Sequence, residues 1–208
     1  MTNKARRYDF QKNKLSLDDV HKDPFLQFGM WWQEALQAKE DTPDAMHLAT
    51  VDEHGHPNVR VVLLKEFDEH GFVFFTNYQS KKGQELAQNQ NAALSFFWPK
   101  LERQIRLRGI TKKTKTLESQ LYFETRPKEA QVSAWVSPQS RVISREELDE
   151  AYAAKEKQND IISCPSFWGG YRFVPTYFEF WQGREHRLHD RICYTSINHE
   201  WTINRLAP

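Results

Sequence analysis

Chemically capable side chains are densest in Trp181-Gln182-Gly183-Arg184-Glu185-His186-Arg187-Leu188-His189-Asp190-Arg191. Two histidines three apart, followed by an aspartate, suggest a metal site at first sight. On a strand, however, side chains alternate faces, so His186 and His189 point apart and joint ligation fails. No metal is expected here. The same alternation places Arg187, His189 and Arg191 on one face. Three cationic or titratable groups in a row repel one another unless an anion or an electron-rich ring lies against them. A solvated edge strand, its arginines paired with Asp or Glu, is the competing reading.

Arg60-Val61-Val62-Leu63-Leu64-Lys65 reads as an apolar strand with a cation at each end. The odd spacing sends Arg60 and Lys65 to opposite faces, so one strand could serve two anionic groups. Equally, both could snorkel to water. Ser80-Lys81-Lys82-Gly83 opens a helix, where free backbone N–H groups, a hydroxyl and two cations make an anion site. It lacks the spacing of a nucleoside triphosphate loop. Tyr122 and Arg126, four apart, share a helix face and could grip a phosphate. Gln139-Ser140 adds neutral hydrogen-bonding groups after Pro138. No Ser/His/Asp or Cys/His nucleophile arrangement stands out, and a GxGxxG fingerprint is absent. Several anion spots among aromatic platforms suit a flat, phosphorylated ligand better than a polymer.

The composition agrees. The chain has 208 residues, 39% of them hydrophobic, enough for a core without disulfides or a structural metal. Lys+Arg is 29 and Asp+Glu 28, a net charge of +1. That balance argues against a general nucleic-acid binder, which needs a large positive field. No apolar run approaches the roughly 20 residues that span a bilayer. No apolar run follows Lys4, Arg6 and Arg7 to make a signal peptide, so a cytoplasmic protein without membrane partners is expected. Cys164 and Cys193 have neither metal-type nor redox-type spacing and read as reduced thiols. Aromatic residues make up 13%, serving core volume or flat ligand platforms.

The elements that must position these groups follow from pattern. A helix over 24–39 is capped by Asp23 with Pro24 in its first turn. Its core stripe is Phe25, Phe28, Trp32 and Ala35. Strands follow over 47–51, 59–65 and 72–77, joined at Asp52-Glu53-His54-Gly55 and Asp68-Glu69-His70-Gly71, where Gly supplies a positive φ. After the Ser80 helix come strands over 92–98 and 102–111. Helices cover 117–125, 127–136 and 145–157, the last with a Ser144/Glu147 capping box. Strands return over 170–174, 177–182, 187–194 and 201–205, with Pro175 marking an edge or a break. The fold class is β-rich α+β, a closed or partly closed barrel with peripheral helices. One domain spans 1–208 without a linker. Residues 1 to about 20 form an N-terminal arm, for which disorder is the plain reading.

At these residues the sequence resembles the pyridoxine/pyridoxamine 5′-phosphate oxidase family. The matching segments include Arg60 to Lys65, Phe75-Thr76-Asn77, Ser80 to Gly83, Leu101-Glu102-Arg103-Gln104 and Tyr122-Phe123. Further along come Arg126-Pro127, Ala134-Trp135-Val136-Ser137, Gln139-Ser140, Pro165 to Gly170, Phe180 to Gly183, His186 to Arg191 and the closing Arg205-Leu206-Ala207-Pro208. Their shared order is specific. The resemblance implies an FMN-binding split β-barrel working as a homodimer, with FMN at the subunit interface. It implies that Arg60, Val61, Val62, Leu63, Leu64, Lys65, Phe75, Thr76, Lys81, Lys82, Gln104, Gln139, Ser140, Trp181 and Arg191 hold FMN. Substrate would be held by Lys65, Tyr122, Arg126, Ala130, Arg187, Leu188 and His189, with Arg187 and His189 over the pyridine ring as the catalytic pair. In the implied reaction a hydride passes from C4′ of pyridoxine 5′-phosphate or pyridoxamine 5′-phosphate to the flavin. Pyridoxal 5′-phosphate results, O2 is reduced to H2O2, and the amine is lost as ammonia.

Two positions depart from the family pattern. Ser80-Lys81-Lys82 stands where many members have Ser-Arg-Lys, which exchanges a guanidinium fork for a point charge. Ala130 stands where the substrate-phosphate site often has Ser; loss of that hydroxyl would weaken binding by roughly 1.5–3 kcal/mol if nothing replaces it. Arg6-Arg7-Tyr8 resembles a family segment that folds over the active site. Two other functions remain open on sequence: an FMN-dependent split-barrel oxidoreductase with another substrate, and a non-catalytic flavin or pyridoxal phosphate binder.

Overall fold

A computed structural model describes residues 9–158, 161–198 and 200–208. Arg6, Arg7 and Tyr8 therefore lie outside the described residues. The elements run α1 (Pro24–Gln37), β1 (Ala45–Val51), β2 (Pro57–Leu63), β3 (Glu66–Asp68), β4 (Gly71–Asn77), α2 (Lys81–Gln88) and β5 (Asn91–Trp98). They continue with β6 (Arg103–Lys113), α3 (Thr116–Glu124), α4 (Lys128–Val136), α5 (Arg145–Glu156), β7 (Trp168–Gln182), β8 (Asp190–Ile197) and β9 (Glu200–Leu206). Hydrogen bonding follows the order β2-β1-β5-β6-β7-β4-β3, with β8 on β7 and β9 on β8. The β3–β4, β4–β7, β7–β8 and β8–β9 pairs are antiparallel.

The chain divides into two compact units, neither contiguous in sequence. The first comprises Met1–His47, Ala93–Gly109 and Pro175–Pro208; the second comprises Leu48–Ala92 and Ile110–Val174. No linker joins them, because β1, β5, β6 and β7 each contribute residues to both. The expected break at Pro175 does not occur. Instead β7 stays continuous while its pairing changes, with 168–173 on β4 and 177–182 on β8. A residue without an N–H falls where the ladder exchanges partners, which is where its missing donor costs least.

In the first unit, the Asp23 carboxylate accepts the Phe25 N–H and caps α1. The buried stripe carries Trp31 in place of the expected Trp32. Trp31 meets Phe180 edge-on at 5.2 Å, whereas Trp32 stacks on Phe28 from a half-buried position. Arg103 is buried over the Trp31 ring and donates to Glu34 and Gln182, the partners a buried cation requires. Of the expected N-terminal arm, residues 9–20 fall among the described residues. Leu15 is buried and its N–H donates to Asp190, and Phe10 packs edge-on against Trp181.

In the second unit the two hairpin turns form as expected, with Gly55 at φ +84° and Gly71 at φ +135°. Behind them Phe72, Phe74, Tyr171 and Phe173 are buried along the β4–β7 ladder. Along β2, burial alternates: Val59, Val61 and Leu63 are exposed, while Asn58, Arg60 and Val62 are half-buried. The strand ends at Leu63. Lys65 lies beyond it and donates its backbone N–H to Val73. The expectation that Arg60 and Lys65 sit at two ends of one strand on opposite faces therefore fails.

Candidate ligand-binding cleft

The second unit holds a cleft of about 530 Å³, lined from one side by Arg60, Val61, Val62, Leu63 and Lys65. Phe75, Thr76 and Asn77 of β4 contribute, as do Lys82, Tyr122 and Arg126. Ser133, Ala134, Ser137, Gln139 and Trp168 complete the lining. Part of its lining is a stack of aromatic rings. Phe75 and Tyr122 lie 3.9 Å apart at 15°, and Trp168 continues the stack 5.4 Å from Phe75. A flat ligand ring finds offset-stacking surface here. Gly170 permits this arrangement, since a Cβ there would sit 2.9 Å from the Phe75 ring and 2.5 Å from Thr114.

The cations differ in how they are held. Arg60 donates to Leu48 O and Thr50 Oγ1 through Nη1, and to Glu85 Oε2 at 3.2 Å through Nη2. Glu85 is itself buried and also accepts from Thr50 and Asn58, so it fixes the Arg60 fork in one orientation. Lys82 has only neutral hydrogen-bond partners: Gln139 Oε1 at 2.9 Å, Thr76 Oγ1 at 3.2 Å and Ser80 Oγ at 3.4 Å. Burial and the Arg60 charge push its ammonium down to about 8. Arg126 lies over Trp168 at 4.7 Å, and its Nη1 is buried with no hydrogen-bond partner. Burial lowers its pKa too, although a guanidinium stays charged. A buried donor left unpaired costs free energy, and an anionic ligand atom relieves it.

The α2 start works differently from the sequence expectation. Ser80 is fully buried and its hydroxyl caps the helix, accepting from Gly83 N and donating to Asn77 O. Its oxygen is thus committed within the chain, and Lys82 carries the cation into the cleft. Lys81 is exposed, lies 3.7 Å from Glu85 and is not among the lining residues. Leu64 is buried, and neither Ser140 nor Ala130 lines the cleft.

Gln104, Trp181, Arg187, Leu188, His189 and Arg191 belong to the first unit and are not among these lining residues. The expected strand over 187–194 begins only at Asp190. Before it, Glu185–Arg187 form a 3₁₀ turn with His186 at φ 55° and Arg187 at φ 61°. Strand alternation therefore does not place Arg187, His189 and Arg191 on one face. His189 is oriented by its Nδ1, which accepts from Arg184 N at 3.1 Å and leaves the ring proton on Nε2. Its ring packs 4.7 Å from Trp181 and 5.8 Å from Phe10. Burial and the neighbouring Arg187 lower its pKa, outweighing Asp190, and this favours neutral imidazole. Arg187 and Leu188 are exposed, and Gln104 is half-buried on β6.

The remaining arginines of this segment are already neutralised. Asp190 accepts from Arg184, Arg205 and Leu15 N. Although burial opposes it, these contacts hold the Asp190 carboxyl below its usual range. Arg191 donates to Glu179 at 2.9 Å and to Ala207 O, so its guanidinium is committed inside the unit. Sequence alone presents Asp190 only as a metal ligand, and it does not single out Glu179, Trp168, Ser133 or Ser137. Trp168 and Ser137 do fall inside matching segments. Ser133 lies one turn beyond Ala130 on the same helix.

Among known proteins, residues 32–157 match the family described as pyridoxamine 5′-phosphate oxidase. Residues 168–208 match the pyridoxine 5′-phosphate oxidase C-terminal dimerisation region. The chain is 49% identical to the pyridoxine/pyridoxamine 5′-phosphate oxidase of Crocosphaera subtropica, covering 98% of each chain. It is also 49% identical to that of Burkholderia mallei, over 97% of each. PhzG from Burkholderia lata, solved with tetrahydrophenazine-1-carboxylic acid, is 28% identical with a TM-score of 0.88, covering 92% of this chain and 95% of that one. An FMN-binding protein from Nostoc punctiforme, related to pyridoxamine 5′-phosphate oxidase, shares the fold at 18% identity and TM-score 0.72, over 85% of this chain and 95% of that one. The fold class is the split barrel expected from the sequence.

Proposed function

This chain belongs to the pyridoxamine 5′-phosphate oxidase family, and from that premise we propose that it binds FMN and oxidises pyridoxine and pyridoxamine 5′-phosphates to pyridoxal 5′-phosphate. Dioxygen is the electron acceptor in this reading. The match of residues 168–208 to a dimerisation region supports a homodimer. No helix among the described residues is long and apolar enough to cross a membrane, and both cysteines are free, in keeping with a cytoplasmic site of action.

The observation that carries the reading is one cleft lined by two sets of cationic groups held in different ways. Of these, Arg60, Thr76, Lys82 and Gln139 form a donor set suited to the FMN phosphate. The low pKa of Lys82 fits this role, because a nearby dianion restores the charge that burial disfavours. The orphaned Arg126 Nη1, with Tyr122 and Lys65 of the same lining, suits the substrate phosphate. Gripping the phosphate far from the reacting carbon spends binding energy on orientation.

Held by Arg60, Thr76, Lys82 and Gln139, FMN would supply the two-electron redox chemistry that the side chains lack. The stacked rings of Phe75, Tyr122 and Trp168 offer an apolar surface against which a flat ring could lie. Arg187 and His189 are assigned to the substrate ring, the guanidinium offering charge and the neutral imidazole offering its Nε2 proton as a donor. Both act by orientation and charge stabilisation. The structural committed pairs, Arg184 and Arg205 with Asp190, hold the turn that bears them.

The test is anaerobic. The FMN-loaded protein is mixed with pyridoxine 5′-phosphate without oxygen and the flavin absorbance is followed. Bleaching that reverses on admitting air is the expected result. A yellow protein that stays yellow would assign the cleft to another substrate, and failure to take up FMN would remove the reading altogether.

A further inference from the structure

We propose that Ser133 donates a hydrogen bond to the substrate phosphate. This rests on the substrate reading above. The Ala130 side chain has no donor and does not line the cleft, whereas Ser133 does, together with Tyr122, Arg126 and Lys65. Positions 130 and 133 are one turn apart on α4 and share a helix face.

The backbone fixes where this hydroxyl can reach. The Gln131 side-chain amide donates to Phe123 O at 3.2 Å and to Arg126 O at 3.0 Å. That pair of contacts ties the first turn of α4 to the segment bearing Arg126. At present the Ser133 hydroxyl donates to Glu129 O at 2.8 Å, one helical turn back. That carbonyl is also an acceptor in the helix ladder, so turning the hydroxyl into the cleft does not orphan it. The rotation moves one proton donor between staggered positions. A phosphate presents several acceptor oxygens, and Arg126 Nη1 is a waiting donor for one of them. A hydroxyl one turn along the helix supplies a neutral donor for another, with no second charge to desolvate.

The consequence is selectivity for the phosphorylated ring. The probes are 4′-deoxypyridoxine 5′-phosphate and 4′-deoxypyridoxine, which lack the oxidisable group, titrated into the FMN-loaded protein by fluorescence. Ser133→Ala should weaken the phosphorylated probe roughly ten-fold, the low end for a hydrogen bond to a charged group. The unphosphorylated probe and FMN affinity should move less than two-fold, and Ser133→Thr should retain the preference. Alanine at this accessible helix position favours folding. A phosphorylated probe that binds Ser133→Ala as tightly as wild type would overturn the proposal, as would equal weakening of both probes. A wild-type protein that does not distinguish the probes defeats the substrate reading itself, and the Ser133 assignment with it.

Discussion

The cleft of the second unit and the 184–191 turn of the first are both rich in cations, yet they differ in how completely those cations are paired. In the turn, Asp190 joins Arg184, Arg205 and the Leu15 amide, and Glu179 joins Arg191 and Arg106. In the cleft, Arg60 is paired with buried Glu85, but Lys82 is held by neutral oxygens and Arg126 keeps an unpartnered buried nitrogen. A buried cation without its carboxylate stores a cost that an anionic ligand removes. On that ground Lys82 and Arg126 are the cations left for a ligand, whereas Arg60 is a binding group that its own carboxylate holds in place.

Substitutions can break that distinction, and the largest effect should come from Arg126. Arg126→Ala should raise the KM for pyridoxine 5′-phosphate roughly 100-fold, the loss of a charge-assisted contact. The melting temperature of the ligand-free protein should hold or rise, because an orphaned donor is removed. A clear fall in thermal stability would place Arg126 with the carboxylate-paired arginines. Lys82→Met comes next, weakening FMN about 30-fold. Its wild-type counterpart should also show a pH signature. Burial depresses the Lys82 pKa to about 8 in the free protein, and a bound phosphate raises it again. FMN binding then takes up a proton above that pH, so affinity falls as pH rises past about 8, and the methionine variant should flatten this limb in calorimetric titrations.

Asp190→Asn should act in the opposite manner. Removing the shared carboxylate should cost about 2 kcal/mol of stability in denaturant unfolding, less than a fully buried pair because Arg205 is partly exposed. It should lower kcat about five-fold by loosening the His189 turn, with KM nearly unchanged. An Asn variant that mainly raised KM would mean the turn binds phosphate directly. The smallest effect belongs to Ala130→Ser, which should change KM less than two-fold because position 130 does not line the cleft.

Much of this was legible in the sequence, and the exceptions have physical reasons. Helix caps and Gly turns are local signals, so Asp23, Gly55 and Gly71 behave as read. The cleft cations Arg60, Lys82 and Arg126 were likewise visible from short local patterns: a charge heading an apolar strand, a lysine at a capped helix start, and an arginine four residues after Tyr122. Arg126 itself lies beyond α3, which ends at Glu124. The 184–189 turn was not. It carries positive φ at His186 and Arg187 without a glycine at either, and the contacts that hold it reach across the sequence from Leu15 to Arg205. Pro175 reads as an edge or a break because sequence cannot show that a continuous strand changes partners there. Ser133 carries no local signal of its own, since only the folded cleft shows which face of α4 lines it.

The most direct test of the two cation sets in the cleft is a calorimetric titration of FMN into ligand-free wild-type, Lys82→Met and Arg126→Ala proteins at one pH and salt concentration. The account predicts a large loss of affinity for Lys82→Met and a change within two-fold for Arg126→Ala. Equal losses in both variants would contradict it, since the cleft would then be one undivided phosphate site.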